Sequence, residues 1–174
     1  MNRYLPDVYS KNVLSINYDK LKKKKIKCLI FDLDNTLVPI HTEKIVPKIK
    51  ALITKLKKDF LVIIVSNSPK KRVNTISEVL QIDAYPNALK PLTRTLRKIK
   101  KKYNLTSQDI AMIGDQFITD MNYGYKGKLL KVFVDTISNE DLKITSLNRF
   151  FEKKIMHKYQ KDNLFKKGEY YDER

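Results

Sequence analysis

Short apolar runs alternate with stretches of helical periodicity along most of this chain. Ile26 to Phe31 (IKCLIF), Phe60 to Val65 (FLVIIV), Ile82 to Tyr85, Ile110 to Ile113 and Leu129 to Val134 predict five strands. The first is apolar and suits a strand buried on both faces. Between them the apolar positions recur every three or four residues. Ile45, Ile49, Leu52, Ile53 and Leu56 predict a helix over 43–58, and Pro69 opens a second over 69–80. Pro91 opens a third over 91–103, with Leu92, Leu96, Ile99 and Tyr103 on one face. Residues 117–126 predict a short helix. Residues 142–158 predict a C-terminal one with Leu147, Phe150, Phe151 and Ile155 turned inward. Strands alternating with helices predict an α/β, three-layer Rossmann-like fold: a parallel sheet of about five strands flanked by helices. The division that follows is a basic lead-in over 1–25, one domain over 26–158 and a polar tail over 159–174.

A parallel sheet collects its ligand groups at the carboxyl ends of its strands. The polar clusters fall there. Asp32-Leu33-Asp34-Asn35-Thr36 follows the first predicted strand and Ser66-Asn67-Ser68 the second. Asn87-Ala88-Leu89-Lys90-Pro91 follows the third, and Gly114-Asp115-Gln116-Phe117-Ile118-Thr119-Asp120 the fourth. One crevice would then hold Asp32, Asp34, Asp115 and Asp120 against the single cation of Lys90. Carboxylates so crowded repel one another unless more positive charge lies among them. A hard divalent ion supplies it, and an oxygen-only donor set without His or Cys suits Mg²⁺. Asp32, Asp34, Asp115 and Asp120 are the candidate metal residues.

This inventory fits phosphoryl transfer, which needs positioning and charge neutralisation above all. Asp32 is the candidate nucleophile on phosphorus. Asp34, two residues on, would protonate the leaving group and then activate water. Ser66 and Lys90 would hold the phosphate oxygens, with Thr36 and Asn67 as further substrate-binding candidates. Each piece alone has a structural explanation, as a turn, a helix cap or a surface lysine. Four pieces in order, each after an apolar strand, do not share one.

Composition changes the picture in two ways. The 174 residues carry 36 Lys and Arg against 19 Asp and Glu, a net charge of +17, which draws polyanions: anionic lipid, nucleic acid or acidic metabolites. The densest basic runs are Lys22 to Lys25, Lys70-Lys71-Arg72 and Lys98 with Lys100 to Lys102. Cys28 is the single cysteine, which leaves no internal disulfide and fits a reducing, cytoplasmic setting. No apolar stretch approaches the ~20 residues of a membrane-spanning helix, and the first residues lack a signal-peptide pattern.

DLDNT (Asp32 to Thr36), the Ser66 of VSN, the Lys90 of ALKP and GDQFITD (Asp115 and Asp120) together resemble the four motifs of the haloacid dehalogenase superfamily of phosphatases. The resemblance spans residues 26–135. It implies Asp32 as nucleophile and metal ligand, and Asp34 as general acid and base that binds metal through its carbonyl. It further implies Asp115 as the second carboxylate ligand, and Asp120 on Lys90 or on metal-bound water. Pro6-Asp7-Val8-Tyr9, DLDNTLVP and the GDQ-x-x-TD motif narrow the likeness to the YqeG type of subclass IIIA, which is similar to phosphatidylglycerophosphate phosphatases. Thr36 to Ser66 and Ser68 to Lys90 each leave room for one helix and one strand, so no cap domain is expected over the crevice. An open crevice admits large substrates. The leading expectation is a Mg²⁺-dependent phosphomonoester hydrolase acting on a lipid phosphate such as phosphatidylglycerophosphate, peripheral at an anionic membrane. The alternatives are the same chemistry on a nucleotide, a nucleic-acid end or a phosphoprotein, or a basic RNA- or ribosome-binding module. The last lacks the glycine-aromatic pattern of an RNA-binding sheet. The oligomeric state is left open.

Overall fold

The computed structural model describes residues 3–138 and 143–173; of residues 143–149 it describes the backbone. Six parallel strands form one sheet: β1 (Val8–Ser10), β2 (Cys28–Phe31), β3 (Leu61–Val65), β4 (Asp83–Tyr85), β5 (Ile110–Gly114) and β6 (Leu130–Val134), in the order β1-β6-β5-β2-β3-β4. The central strands β2 and β5 are buried along their whole length, as their unbroken apolar sequences require. Helices α2 (Pro47–Leu56), α3 (Lys70–Leu80) and α4 (Arg94–Tyr103) follow β2, β3 and β4. Helix α1 (Tyr18–Lys23) precedes β2, α5 (Asn122–Gly127) precedes β6, and α6 (Lys143–Lys161) follows β6. Two apolar cores result. Leu29, Phe31, Ile64 and Ile113 look to one face of the sheet, with Ile53 and Ile76 packed there from α2 and α3. Ile30, Ile63 and Met112 look to the other, against Leu96 and Ile99 of α4. The alternation along β2 is the ordinary period-two pleat.

Three expectations need correction. The segment read as a lead-in is folded: β1 pairs with β6, Val8 opposite Val132, and forms the sixth strand. The polar tail is not free of the domain either. Phe165 is buried, and Tyr171 exchanges both main-chain hydrogen bonds with Tyr9, 2.8 and 2.9 Å, which occupies the outer edge of β1. Tyr9, Phe117, Phe133, Tyr159 and Phe165 form a third, largely aromatic cluster there.

The inward stripes of two helices also differ. On α6, Glu152, Ile155, Met156 and Tyr159 face the protein, while Phe150 and Phe151 are exposed. Both registers have helical spacing; the aromatic cluster selects the one that delivers Tyr159. The side chain of Leu147 lies outside the described residues. Leu92 is exposed because α4 starts two residues after it, at Arg94; residues 89–92 form a turn closed by Leu92 N–H on the Leu89 carbonyl at 2.9 Å. The expected helix over 117–126 begins as a single π-helical turn, Phe117–Met121, and becomes α-helical at Asn122. Between β2 and β5 the chain holds only β3 and β4, the helices α2 to α4, a short 3-10 turn (Ser107–Asp109) and their connecting loops, with no inserted domain over the carboxyl edge of the sheet.

Candidate active site

Each strand hands its first following residues to the same edge. Asp32 leaves β2 with its N–H still bonded to the Ile113 carbonyl of β5 at 2.8 Å, so its position is fixed by the sheet itself. The chain then doubles back. Asn35 takes a left-handed backbone, φ 62°, which Asn tolerates better than most residues. Its N–H bonds the Val38 carbonyl at 2.7 Å. The Asn35 amide oxygen also accepts from Ser138 at 2.8 Å, tying this loop to the one after β6.

Lys90 is the hub. Its ammonium donates to Asp32 Oδ1 at 2.6 Å and to Asp120 Oδ1 at 2.7 Å, with all three side chains nearly inaccessible to solvent. Its main chain is held as tightly: Lys90 N–H donates to Asn67 Oδ1 at 2.6 Å, and Asn67 Nδ2 donates to the Lys90 carbonyl at 3.1 Å. Asn67 therefore clamps the β4 loop to the β3 loop. The Thr36 hydroxyl donates to Asp115 Oδ1 at 3.0 Å, and is directed at a carboxylate of the site. Ser66 Oγ accepts from Ser68 N–H at 3.1 Å at the head of the β3 loop.

Asp120 reaches the centre because the π turn bends the chain back over β5. Asp120 N–H bonds the Gln116 carbonyl at 3.0 Å, and Asp120 Oδ2 accepts from Gln116 N–H at 3.1 Å. The turn leaves no room beneath it. A Cβ at Gly114 would stand 2.6 Å from the Asp120 Cβ, so this position requires glycine.

The electrostatics follow from burial. Taking Asp32 out of water pushes its carboxyl up, to about 7; Asp120 and Asp34 push the same way and Lys90 opposes them. Burial works against the Lys90 ammonium as well, but the facing Asp120 and Asp32 carboxylates outweigh it and hold Lys90 above the ordinary lysine range. Carboxylate oxygens of Asp32, Asp115 and Asp120 all lie within 4.8 Å of one another. Three carboxylates and one ammonium leave a net negative site with oxygen donors alone, which fits a hard divalent cation. Both Asp120 oxygens accept protein hydrogen bonds, from Lys90 and from Gln116 N–H.

Asp34 stands apart from this group, with partners of its own that no sequence motif marks. Arg72 Nε donates to Asp34 Oδ1 at 2.8 Å, a second guanidinium nitrogen lies 2.7 Å from the same oxygen, and the Ser68 hydroxyl bonds Oδ2. The guanidinium also donates to the Thr42 and Pro39 carbonyls at 2.8 and 3.0 Å. Arg72 thus joins Asp34 to the loop after β2, a fork that an ammonium cannot reproduce. The available signal was residue type: Arg72 is one of only six arginines among 36 basic residues.

The sequence of residues 1–137 matches the family described as mitochondrial PGP phosphatase. The chain belongs to this family. It is a phosphatase of the haloacid dehalogenase type, with a phosphate ester as substrate. It is 33% identical over 154 residues to the probable phosphatase YqeG of Bacillus subtilis, covering 88% of this chain and 90% of that one. It is 26% identical over 147 residues to phosphatidylglycerophosphate phosphatase 1, chloroplastic/mitochondrial, of Arabidopsis thaliana, covering 79% of this phosphatase but 42% of the longer relative. Among solved structures, a predicted HAD-like hydrolase from Porphyromonas gingivalis superposes with a TM-score of 0.53 at 11% identity, over 73% of this chain and 98% of that one. The cobalt-bound deoxy-D-mannose-octulosonate 8-phosphate phosphatase (YrbI) of Haemophilus influenzae superposes with a TM-score of 0.50 at 17% identity, over 83% and 95%. These two likenesses concern the fold. Among the described residues no helix is long and apolar enough to cross a membrane.

Proposed function

We propose that this phosphatase hydrolyses a lipid phosphate monoester, phosphatidylglycerophosphate being the favoured substrate, through an aspartyl phosphate on Asp32 with Mg²⁺ as cofactor. The observation that carries the chemistry is the buried Asp32–Lys90–Asp120 arrangement with Asp115 beside it, on an edge without a cap. The names of the matched family and of the Arabidopsis relative support the lipid. Asp32 and Asp115 would hold the ion, which when bound neutralises phosphate charge.

An Asp32 carboxylate oxygen attacks phosphorus. The ester oxygen departs with the bonding pair and takes a proton from Asp34. Asp34, now a carboxylate, removes a proton from water. That water attacks the phosphorus, and inorganic phosphate leaves the restored Asp32 carboxylate. Lys90 holds Asp32 in line, and Ser66 and Lys90 receive the phosphate oxygens. The test is phosphate release, with and without Mg²⁺, from a panel holding phosphatidylglycerophosphate in vesicles, a nucleotide, a phosphopeptide and an aryl phosphate. Magnesium-dependent release fastest from the lipid is expected; preference for another ester overturns the lipid, and no turnover overturns the chemistry.

Asp34→Asn isolates the role of Asp34. General acid catalysis contributes roughly 10²–10⁴-fold, and only poor leaving groups need it. Turnover of an alkyl phosphate is expected to fall by about 10²-fold, with a much smaller loss on a dinitrophenyl phosphate. Equal losses on both would mean that Asp34 merely anchors Arg72 and its loop.

A further inference from the structure

The turn that carries Lys90 presents two leucines to solvent. Leu89 is 65% exposed and Leu92 55%, while Lys90 between them is 5% exposed with its ammonium on Asp32. Leu89 also has a left-handed backbone, φ 54°. At Asn35, Asn87, Asn104 and Asn163 the chain meets the same demand with asparagine, the non-glycine residue that suits it, and at Lys25, Gln81 and Lys128 with other polar residues. Exposure and backbone conformation both disfavour leucine at 89, so packing within the domain does not explain it.

The surrounding charge points the same way. Helices α2, α3 and α4 each follow a strand whose carboxyl end lies at the site, so their N-termini lie at that edge. Their first turns contain no acidic residue and instead carry Lys48 and Lys50, Lys70 to Arg72, and Arg94 with Arg97. A helix N-terminus favours anions, and cations there oppose the macrodipole. The placement is intelligible if the neutralising anions come from outside the molecule.

We infer that the Leu89–Leu92 turn and these basic first turns dock the phosphatase on an anionic lipid bilayer. The two leucines enter the interfacial layer and the open crevice faces the headgroups. The inference rests on the lipid-phosphate reading above and locates how that substrate is met. Apolar side chains inserted at the interface and lysines near anionic lipid each add to such binding, and neither suffices alone.

The experiment is flotation of the full chain with vesicles of equimolar phosphatidylglycerol and phosphatidylcholine, and with phosphatidylcholine alone. Leu89→Asn with Leu92→Ser is the test variant, since asparagine accepts the left-handed backbone. Val79→Ser, an exposed residue near the far end of α3, is the control. The native chain is expected on the anionic vesicles only. The double variant is expected to lose at least about tenfold in partition, the control none, and both should keep full turnover of a soluble aryl phosphate. Unchanged partition of the double variant overturns the docking surface, even where lipid phosphate in detergent micelles is hydrolysed and the substrate reading stands. Partition lost as expected, without hydrolysis of any lipid phosphate, supports the surface and removes the substrate. Self-association that disappears in the double variant, with vesicle binding unaltered, overturns it in favour of an interface between copies.

Discussion

Asp32→Asn is expected to reduce phosphate release by at least ~10³-fold on every ester, because the attacking oxygen is replaced by an amide that cannot form the acyl phosphate. The substitution is nearly isosteric, and Asp32 is fixed by its backbone bond to β5, so the fold survives. Metal-free stability should rise at neutral pH. The Asp32 carboxyl sits at about 7 in the folded protein, far above its unfolded value, so its ionisation opposes folding. That stability is fully present below pH ~4 and is lost as pH rises to 7; the amide has nothing to lose. Steady-state kinetics beside thermal unfolding at pH 5 and pH 8, in a chelator, check both halves. Unchanged turnover would remove Asp32 as nucleophile.

Lys90→Met should do the converse. It deletes the cation between Asp32 and Asp120 and leaves two buried carboxylates facing each other, a loss on the order of 3–5 kcal/mol for a broken buried pair. The cost depends on pH. Lys90 stabilises the fold while it stays charged; that contribution is complete below the ordinary lysine value and is lost only at alkaline pH, as pH climbs from there through its raised folded value. Without Lys90, Asp32 is harder still to ionise. The deficit is therefore expected to be smaller near pH 4–5, where the Asp32 carboxyl binds a proton, and largest near pH 8. Magnesium should restore part of it by replacing the missing positive charge. Melting temperatures from pH 4 to 9, with and without Mg²⁺, measure this. A deficit independent of both would mean that the lysine stem packs and its charge does not matter.

What was legible in the sequence was what burial writes into it. Strands buried on both faces are apolar throughout, so β2, β3 and β5 stood out, and the polar residues after them marked one edge of the sheet. Val8 to Ser10 is too short for any period to register, and its partner β6 lies more than a hundred residues away. Phe165 and the Tyr170-Tyr171 pair are isolated aromatics in a polar stretch. Periodicity proposes a helical face without saying what covers it, so it points Leu92, Phe150 and Phe151 inward although all three are exposed. The aims of Asn67, Thr36 and Arg72 depend on loops that meet only in space.

The pairing of β1 with β6 and of Tyr9 with Tyr171 has a consequence for biosynthesis. Strand β1 must wait for β6 and for Tyr171, each more than a hundred residues further along the chain, before both its edges are filled. Strands β2 to β5 can assemble around Asp32, Ser66, Lys90 and Asp115 while the N-terminal segment is still unpartnered. A nascent chain stalled before β6 would thus hold a nearly complete catalytic edge beside an open strand, the kind of species that chaperones attend.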